Sequence, residues 1–559
     1  MKRSIFSLVA LLASVLLFSG CQREGANGQL TLVAEGMNHG GKMAVDGYSA
    51  AWATGDPVRI NDEVVSVSVD GGNATVSSAT TFKAPFYGVY PSGIYADNSG
   101  ANYYTLELPN HYVYAVCGDG RQNLHSPMVA YSESGSTLTF KHLTAAIGVQ
   151  VVNYYGFTIA VDSIVVSSDS YRLNGSVSLT LNGSDPVVEP ATSSDAAERL
   201  VKMTFGSTPL QVFAGDSTVV QVPVLPVGAG NKFSVKICVH KVDQPAVAKA
   251  IEKTQTVGGA LGRSYLAYAR LATPGLFSVA ANKKVIISQG NLQYQASTGT
   301  WKFSETQYGS IGNAAGNNVF DDTRSTQSAW IDLFGWGTSG WNNGNTYYQP
   351  YDWQCVNNPT KGDGYGPCVS VNYQMISKYS LTGDYINADW GVRNSILNGG
   401  NMAGKWRVLT GGAGADTSEW VYLVNTRSAS TINGTTNARF ARATVAGVPG
   451  VIVFPDSYIH PEGVSLPSVT ATGWAANNYS ESDWVKIEAQ GAVFMPVTGY
   501  RSVSTSNTAS YNTNYGYYWS SKWASNQSAY YMSFGSYSVS NSSGNKRNGY
   551  SVRLVRDIN

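Results

Sequence analysis

Phe140-Lys141-His142-Leu143-Thr144-Ala145-Ala146-Ile147-Gly148-Val149-Gln150-Val151 joins two short segments in which apolar and polar residues alternate, Thr137–Phe140 and Ile147–Val152. Alternation with a period of two puts one set of side chains on one face of an extended strand, toward a core, and the other set toward solvent. The same pattern recurs on both sides, at Glu63–Val69, Ile159–Val166, Val177–Leu181, Val219–Val224 and Phe233–Val239. Gly, Asn, Asp and Pro separate these segments, as turns require. Short strands at this spacing, from Leu30 to about Leu271, predict β-sandwiches. Gln244 to Lys253 is the one modest helical candidate. A stretch of roughly 240 residues suggests two sandwiches in series, with a junction near Asn153–Tyr155. His142 sits between apolar neighbours in a strand, which predicts a structural rather than a catalytic histidine.

Composition supports the β reading and excludes several functions. The 559 residues contain 37 basic and 36 acidic side chains, a net charge of +1. Such a balance offers no electrostatic footprint for nucleic acid. Charged residues make up 13% of the chain, about half the usual ~25%. With 59 Gly, 35 Tyr, 17 Phe and 13 Trp, the chain is too apolar and aromatic to be disordered. Low charge and abundant Tyr, Thr, Ser and Val suit a mainly β protein of an extracellular surface.

The N-terminus gives an address. Lys2 and Arg3 precede an apolar stretch from Ile5 to Phe18, too short to span a bilayer as a helix. Residues 1–20 therefore read as a signal peptide. Leu17-Phe18-Ser19-Gly20-Cys21 resembles the bacterial lipoprotein signal, which implies lipid attachment at Cys21 and an acyl anchor as the membrane contact. An ordinary secretory signal followed by an incidental cysteine is the alternative. Of the remaining cysteines, Cys117, Cys238, Cys355 and Cys368, the last two flank a Gly-rich loop and could form a local disulfide. Four cysteines do not make a disulfide scaffold, and no CxxC or paired-histidine spacing points to zinc.

Several segments of residues 30 to 271 resemble the fimbrillin family of type V pili. They are Trp52-Ala53-Thr54-Gly55-Asp56-Pro57-Val58-Arg59-Ile60, Tyr87-Gly88-Val89-Tyr90-Pro91, Ser126-Pro127-Met128-Val129-Ala130, the Phe140–Val151 run, Val222-Pro223-Val224-Leu225-Pro226 and Gly262-Arg263-Ser264-Tyr265. The resemblance implies two transthyretin-like, Greek-key β-sandwiches, residues 21–153 and 154–272. It further implies export as an outer-membrane lipoprotein, trimming by a trypsin-like protease, and assembly with other fimbrillin subunits by donor-strand exchange. The first strand would be Leu30–Ala34. Beyond it, Arg59 falls inside a predicted strand, whereas Lys42 lies in a Gly-rich loop, as proteolysis requires. Lys42 is the candidate maturation site.

Residues 276–559 differ in kind. Val285–Tyr294, the Trp-rich stretch Trp330–Trp341, Tyr518-Trp519-Ser520-Ser521, Ala529-Tyr530-Tyr531-Met532-Ser533-Phe534 and Ser551-Val552-Arg553-Leu554-Val555-Arg556 resemble C-type-lectin-like modules, which implies an α+β domain with long loops on a small sheet. The formylglycine-generating oxidases share that fold but need a cysteine pair, and no cysteine follows Cys368. No G-x-S-x-G elbow occurs, and Asp456, Glu481 and Asp483 show no acid–base spacing. A non-enzymatic protein without cofactor or metal is expected, and no calcium-ligand pattern supports calcium-dependent sugar binding. Trp519 and Phe534 read as core residues. Tyr511, Tyr515 and Trp523 fall in predicted loops and are the candidate ligand contacts. Two functions remain open: a pilus-tip or accessory fimbrillin that adheres to a host or microbial glycan or protein through its C-terminal domain, and a non-polymerising glycan-binding lipoprotein of a sugar-uptake system.

Overall fold

The computed structural model describes residues 29–35, 38–39, 52–78, 82–100, 102–116, 122–123, 126–256, 258–312, 318, 328–341, 350, 380–414, 417–501, 509–510, 514–525, 528–546 and 548–558. Cys21, Lys42, Cys117, Cys355, Cys368 and Tyr511 lie outside the described residues. The chain is mainly β, with a small helical portion.

The first sheet has eight strands, in the order Glu63–Ser66, Pro57–Ile60, Phe86–Tyr90, Met128–Ser132, Thr137–His142, Gln29–Ala34, Asn73–Ser77 and Ser68–Asp70. Their inward residues, among them Leu30, Leu32, Val58, Ile60, Val76, Leu138 and Phe140, form one core. Pro57–Ile60 is entered through a turn at Gly55, whose φ of 95° lies in the left-handed region that glycine adopts without penalty. Arg59 sits within that strand, with its guanidinium 4.0 Å from the Tyr95 ring centroid.

A second sandwich closes around another core. Its first sheet runs Asn38–His39, Tyr265–Ala272, Ala145–Val152, Ser217–Val224. The facing sheet runs His111–Val113, Leu200–Thr204, Ile159–Ser168, Lys232–Lys241, Gln244–Thr256. Val149, Val151, Ile164, Val166, Val220, Val222, Val235 and Ile237 fill the space between them.

Two sequence expectations fail here. Gln244–Lys253 is not helical: Gln244–Thr256 is a strand, antiparallel to Lys232–Lys241 from Lys232↔Thr256 to Lys241↔Gln244. Its Ala, Lys and Glu residues favour a helix, but a long hydrogen-bonded ladder overrides that weak preference. The junction between sandwiches also lies earlier than Asn153–Tyr155. Thr137–His142 belongs to the first sheet and Ala145–Val152 to the second sandwich, so the chain passes between them at Leu143-Thr144, although Asn38–His39 and His111–Val113 have already lent strands to the second sandwich. Asn153 instead holds a buried corner. Its amide donates to the carbonyls of Phe157 (2.8 Å) and Val212 (2.9 Å), and its Oδ1 accepts from the Tyr155 N–H (2.9 Å).

The second half is built from short sheets. Lys283–Ile287 pairs antiparallel with the C-terminal strand Leu554–Ile558, so the two ends of this half meet. Phe440–Val445, Val448–Val453 and Val493–Pro496 form a second sheet, and Tyr515–Trp523, Ser528–Gly535 and Val539–Asn545 a third. The helix Glu481–Glu488 starts at a reciprocal cap, with the Ser480 hydroxyl on the Asp483 N–H and the Asp483 carboxylate on the Ser480 N–H. Much of the aromatic surplus is core: Trp336, Trp390, Trp406, Trp420, Trp484, Trp519 and Phe534 are buried.

The halves share packing. Val152, Tyr154 and Ala214 of the second sandwich join Ile286, Trp301, Trp390 and Trp406 in one cluster. Contact is close enough that a Cβ on Gly156 would overlap the Ile287 carbonyl. The Tyr155 hydroxyl donates to the Ala489 carbonyl (2.6 Å), and Asp216 pairs with both Arg556 and Lys405.

Candidate functional site

Two regions bear on function: the seat of the first strand, and an aromatic face in the second half.

Gln29–Ala34 lies inside the eight-stranded sheet. It runs parallel to Thr137–His142, from Thr31↔Thr137 to Ala34↔Phe140, and antiparallel to Asn73–Ser77, from Gln29↔Ser77 to Leu32↔Ala74. Leu30 and Leu32 are buried, while Thr31 and Val33 face outward. The strand therefore supplies two apolar plugs and a ladder of backbone bonds. Beyond it, Asn38–His39 pairs with Tyr265-Leu266 at the edge of the second sandwich. The candidate maturation residue Lys42 follows within a few positions.

Glu35 ends the strand in a polar network that motif reading missed. Its N–H donates to the Phe140 carbonyl (2.8 Å). Its carboxylate accepts from Arg263 Nη1 (2.8 Å), Ser264 Oγ (3.0 Å) and the His142 N–H (3.2 Å). Arg263 Nη2 also pairs with Asp185 (3.0 Å), which Lys141 contacts from the other side. Lys141 and Arg263 hold the Asp185 carboxyl below the usual carboxylate range. His142 is buried, as its apolar neighbours predict, with Nδ1 2.9 Å from Ser126 Oγ and Nε2 2.9 Å from the Glu35 carbonyl. Since the Glu35 carbonyl can only accept, Nε2 carries the proton and Nδ1 accepts from Ser126. Burial pushes the His142 pKa down, with opposing contributions from Glu35. The signal that could have revealed this network is an acidic residue directly after the first strand together with the Gly-Arg-Ser motif at 262–264.

In the second half, Tyr515, Tyr517 and Trp519 share one face of their strand, and Tyr531 lies across from Trp519. Tyr517 is the hub. Ring centroids lie 5.0 Å from it at Tyr550, 5.4 Å at Tyr500, 5.7 Å at Tyr531 and 6.0 Å at Tyr515. Trp519 and Tyr550 are buried beneath, with centroids 4.4 Å apart. Tyr500, Tyr517 and Tyr531 are half-buried, and Tyr515 is 37% exposed. Burial first, then the neighbouring phenols, pushes the Tyr517 hydroxyl up to about 12, so it stays a neutral donor.

Tyr515 and Trp523 are not loop residues. They are the first and last positions of the strand Tyr515–Trp523. They pair with Gly535 and Ala529, six residues apart on the neighbouring strand, so at ~3.3 Å per residue their backbones lie roughly 20 Å apart, too far to serve one small ligand together. Trp523 packs against the domain core. Tyr515 stays with the aromatic face. The carboxylates weighed as acid–base candidates are each engaged separately: Asp456 with Arg427 (3.0 Å), Glu481 with the Tyr308 hydroxyl (2.9 Å), and Asp483 in the helix cap.

Residues 457–555 match a family model described as a domain of unknown function, DUF8237. No curated protein matches the chain. Among solved structures, the chain is similar to a candidate cell adhesion protein from Bacteroides ovatus (13% identity, 44% of this chain and 93% of that one, TM-score 0.26). A candidate cell adhesion protein from Bacteroides fragilis gives 13% identity over 50% of this chain and 98% of that one, with a TM-score of 0.27. A fimbrial protein from Bacteroides ovatus gives 10% identity over 95% and 99%, with a TM-score of 0.20. At these scores the likeness stops short of residue correspondence.

Proposed function

We propose that this chain is a fimbrillin-type adhesin: an exported lipoprotein acylated at Cys21, trimmed near Lys42, joined to other fimbrillin subunits by donor-strand exchange, and adhesive through its C-terminal lectin-like domain. The observation that carries this reading is the seat of Gln29–Ala34. An N-terminal strand in the interior of a sheet, held by backbone ladders and two leucines, leaves a groove of the same chemistry when it departs. Backbone ladders accept any extended chain, and alternate pockets select its side chains. Within the pilus, the proposed place is a tip or accessory position, from which an adhesive domain can reach a surface.

The aromatic face suits the adhesive role. Flat rings with hydroxyl tips bury area at low entropic cost and recognise both glycan and protein surfaces. No catalytic role is assigned. The experiment is mass spectrometry of assembled pili, which is expected to find an N-terminus close to Met43. Pili holding only the acylated Cys21 terminus would overturn trimming and favour the non-polymerising reading. Detergent partitioning of Cys21→Ala tests the anchor separately: an unchanged distribution removes the lipid from the proposal.

A further inference from the structure

We infer that Glu35 is the latch of the first strand, the side chain that keeps Gln29–Ala34 seated and whose loss lets it leave. This rests on the strand-exchange reading above and names what regulates that site. The strand's burial is modest, at Leu30 and Leu32. Its C-terminal end carries the concentrated interactions. The Glu35 carboxylate ties the strand to two elements there, to Thr137–His142 through the His142 N–H (3.2 Å) and to the approach to Tyr265–Ala272 through Arg263 (2.8 Å) and Ser264 (3.0 Å), while its main-chain carbonyl accepts from His142 Nε2 (2.9 Å).

The pairing of Glu35 with Arg263 crosses from the first strand to the second sandwich. Both side chains are mostly buried, at 27% and 19% exposure, so the pair is less screened than a surface ion pair. Arg263 also reaches Asp185 (3.0 Å), and Asp185 reaches Lys141. The charges alternate in sign along this chain of four. Release of Glu35 leaves Arg263 with Asp185 still beside it, so opening the latch strands no guanidinium without a counter-charge. A charge buried alone would have opposed the opening. The latch can therefore let go without unfolding what it leaves behind.

Position gives the latch its meaning. It lies between the strand and the candidate cut at Lys42, on the part of the chain that departs with the strand. Cleavage alone would not release the strand, since Glu35 remains attached to it. An incoming segment that cannot reproduce the Glu35 contacts must compete on its backbone ladder and side-chain plugs, which delays exchange until a well-matched donor arrives.

Amide hydrogen exchange on the intact chain tests this without any cut. Glu35→Ala is expected to speed exchange at residues 30–34, and at their partners in 73–77 and 137–141, by about tenfold or more, the scale of lost charge-assisted hydrogen bonds. Residues 159–168 and 232–241 should keep wild-type rates. Arg263→Ala should give the same local acceleration, with the double variant no faster than the faster single one, and Glu35→Gln should fall between. First-strand rates unchanged in Glu35→Ala, or all strands accelerating together, would overturn the latch and leave strand exchange standing. If in the wild type the first strand opens only together with Pro57–Ile60 and Phe86–Tyr90, the strand-exchange reading fails, and the latch with it.

Discussion

His142 shows how one buried side chain couples the first strand to pH. Its ring is neutral, donating from Nε2 to the Glu35 carbonyl and accepting at Nδ1 from Ser126. Burial lowers its folded pKa below the unfolded value of 6.5, so the folded state binds the proton less well than the unfolded chain. The stability this group contributes is present above pH 6.5 and is lost as pH falls through the folded pKa. Glu35 and Arg263 face the same ring and act in opposite directions. Acidification below the ordinary histidine range is expected to weaken the first sandwich before the second, read by residue-resolved exchange, and His142→Gln should remove that component. Equal acid sensitivity in both proteins would show that the carboxylates govern it instead. A second residue guards an edge. Ser217–Val224 ends its sheet, and Gln122 lays its side-chain amide along that edge, donating to the Gln221 carbonyl (2.9 Å) and accepting from the Gln221 N–H (2.8 Å). It imitates a peptide unit of a neighbouring strand. Pro223, two residues on and facing the same way, has no N–H to offer. Gln122→Ala should free the edge to pair with another chain, seen as concentration-dependent association in sedimentation; a monodisperse variant at every concentration would count against the guard.

At the scale of the element, the first strand is seated by shape as well as by its latch. Leu32→Ala is expected to destabilise the first sandwich by about 3 kcal/mol through lost burial and the cavity left behind, measured by urea unfolding, while Val33→Ala on the outer face should have little effect. Matching losses at both positions would mean that the strand is not oriented as described. These strands were legible because alternation survives in short segments: Val219–Val224 and Ile159–Val166 lie within observed strands. Gln244–Thr256 was not, because its Ala, Lys and Glu residues carry a helical preference that only the tertiary partner overrules. Tyr515–Trp523 was legible only at its centre. Tyr518-Trp519-Ser520-Ser521 marks that centre, but the register irregularity between Trp519 and Trp523 hides the continuation of the strand from a period-two template. That is why Tyr515 and Trp523 were expected in loops. The structure separates them in surroundings, Tyr515 being 37% exposed and Trp523 packed against the core. Tyr515→Ala in the full chain should reduce glycan or protein binding without loss of fold, and binding should survive a chelator. Trp523→Ala should instead lower the melting temperature, since its ring packs against the core.

At the scale of the whole molecule, sequence reading saw a base and a head, but not how firmly they are joined. The motif boundary near residue 275 marks a change of composition, and contacts across it are long-range, so no local pattern announces them. The chain does not treat the boundary as a linker. Thr273 N–H donates to the Val152 carbonyl (3.0 Å), the Gln289 N–H donates to the Gly156 carbonyl (3.0 Å), and Gly275, at φ 131°, passes so close to Tyr154 that a Cβ there would overlap its carbonyl. Lys241 and Glu488 form a buried pair across the same interface (3.8 Å), and Asp216 holds Arg556 and Lys405. A fragment starting at residue 275 would expose Ile286, leave Glu488 without Lys241 and leave Arg556 without Asp216. Each large apolar side chain returned to water costs roughly 1.5–3 kcal/mol, and the two cross-seam ion pairs are lost. The fragment 275–559 is therefore expected to melt well below the full chain, whose second sandwich, completed by Asn38–His39 and His111–Val113, covers this face. Calorimetry on the two, with Asp216→Ala in the full chain as a milder lesion at the same seam, distinguishes the possibilities. Equal melting temperatures for the fragment and the full chain would mean that the head is autonomous. A large difference would mean that force on an adhesive face in the second half passes directly into the second sandwich, with no hinge between them to absorb it.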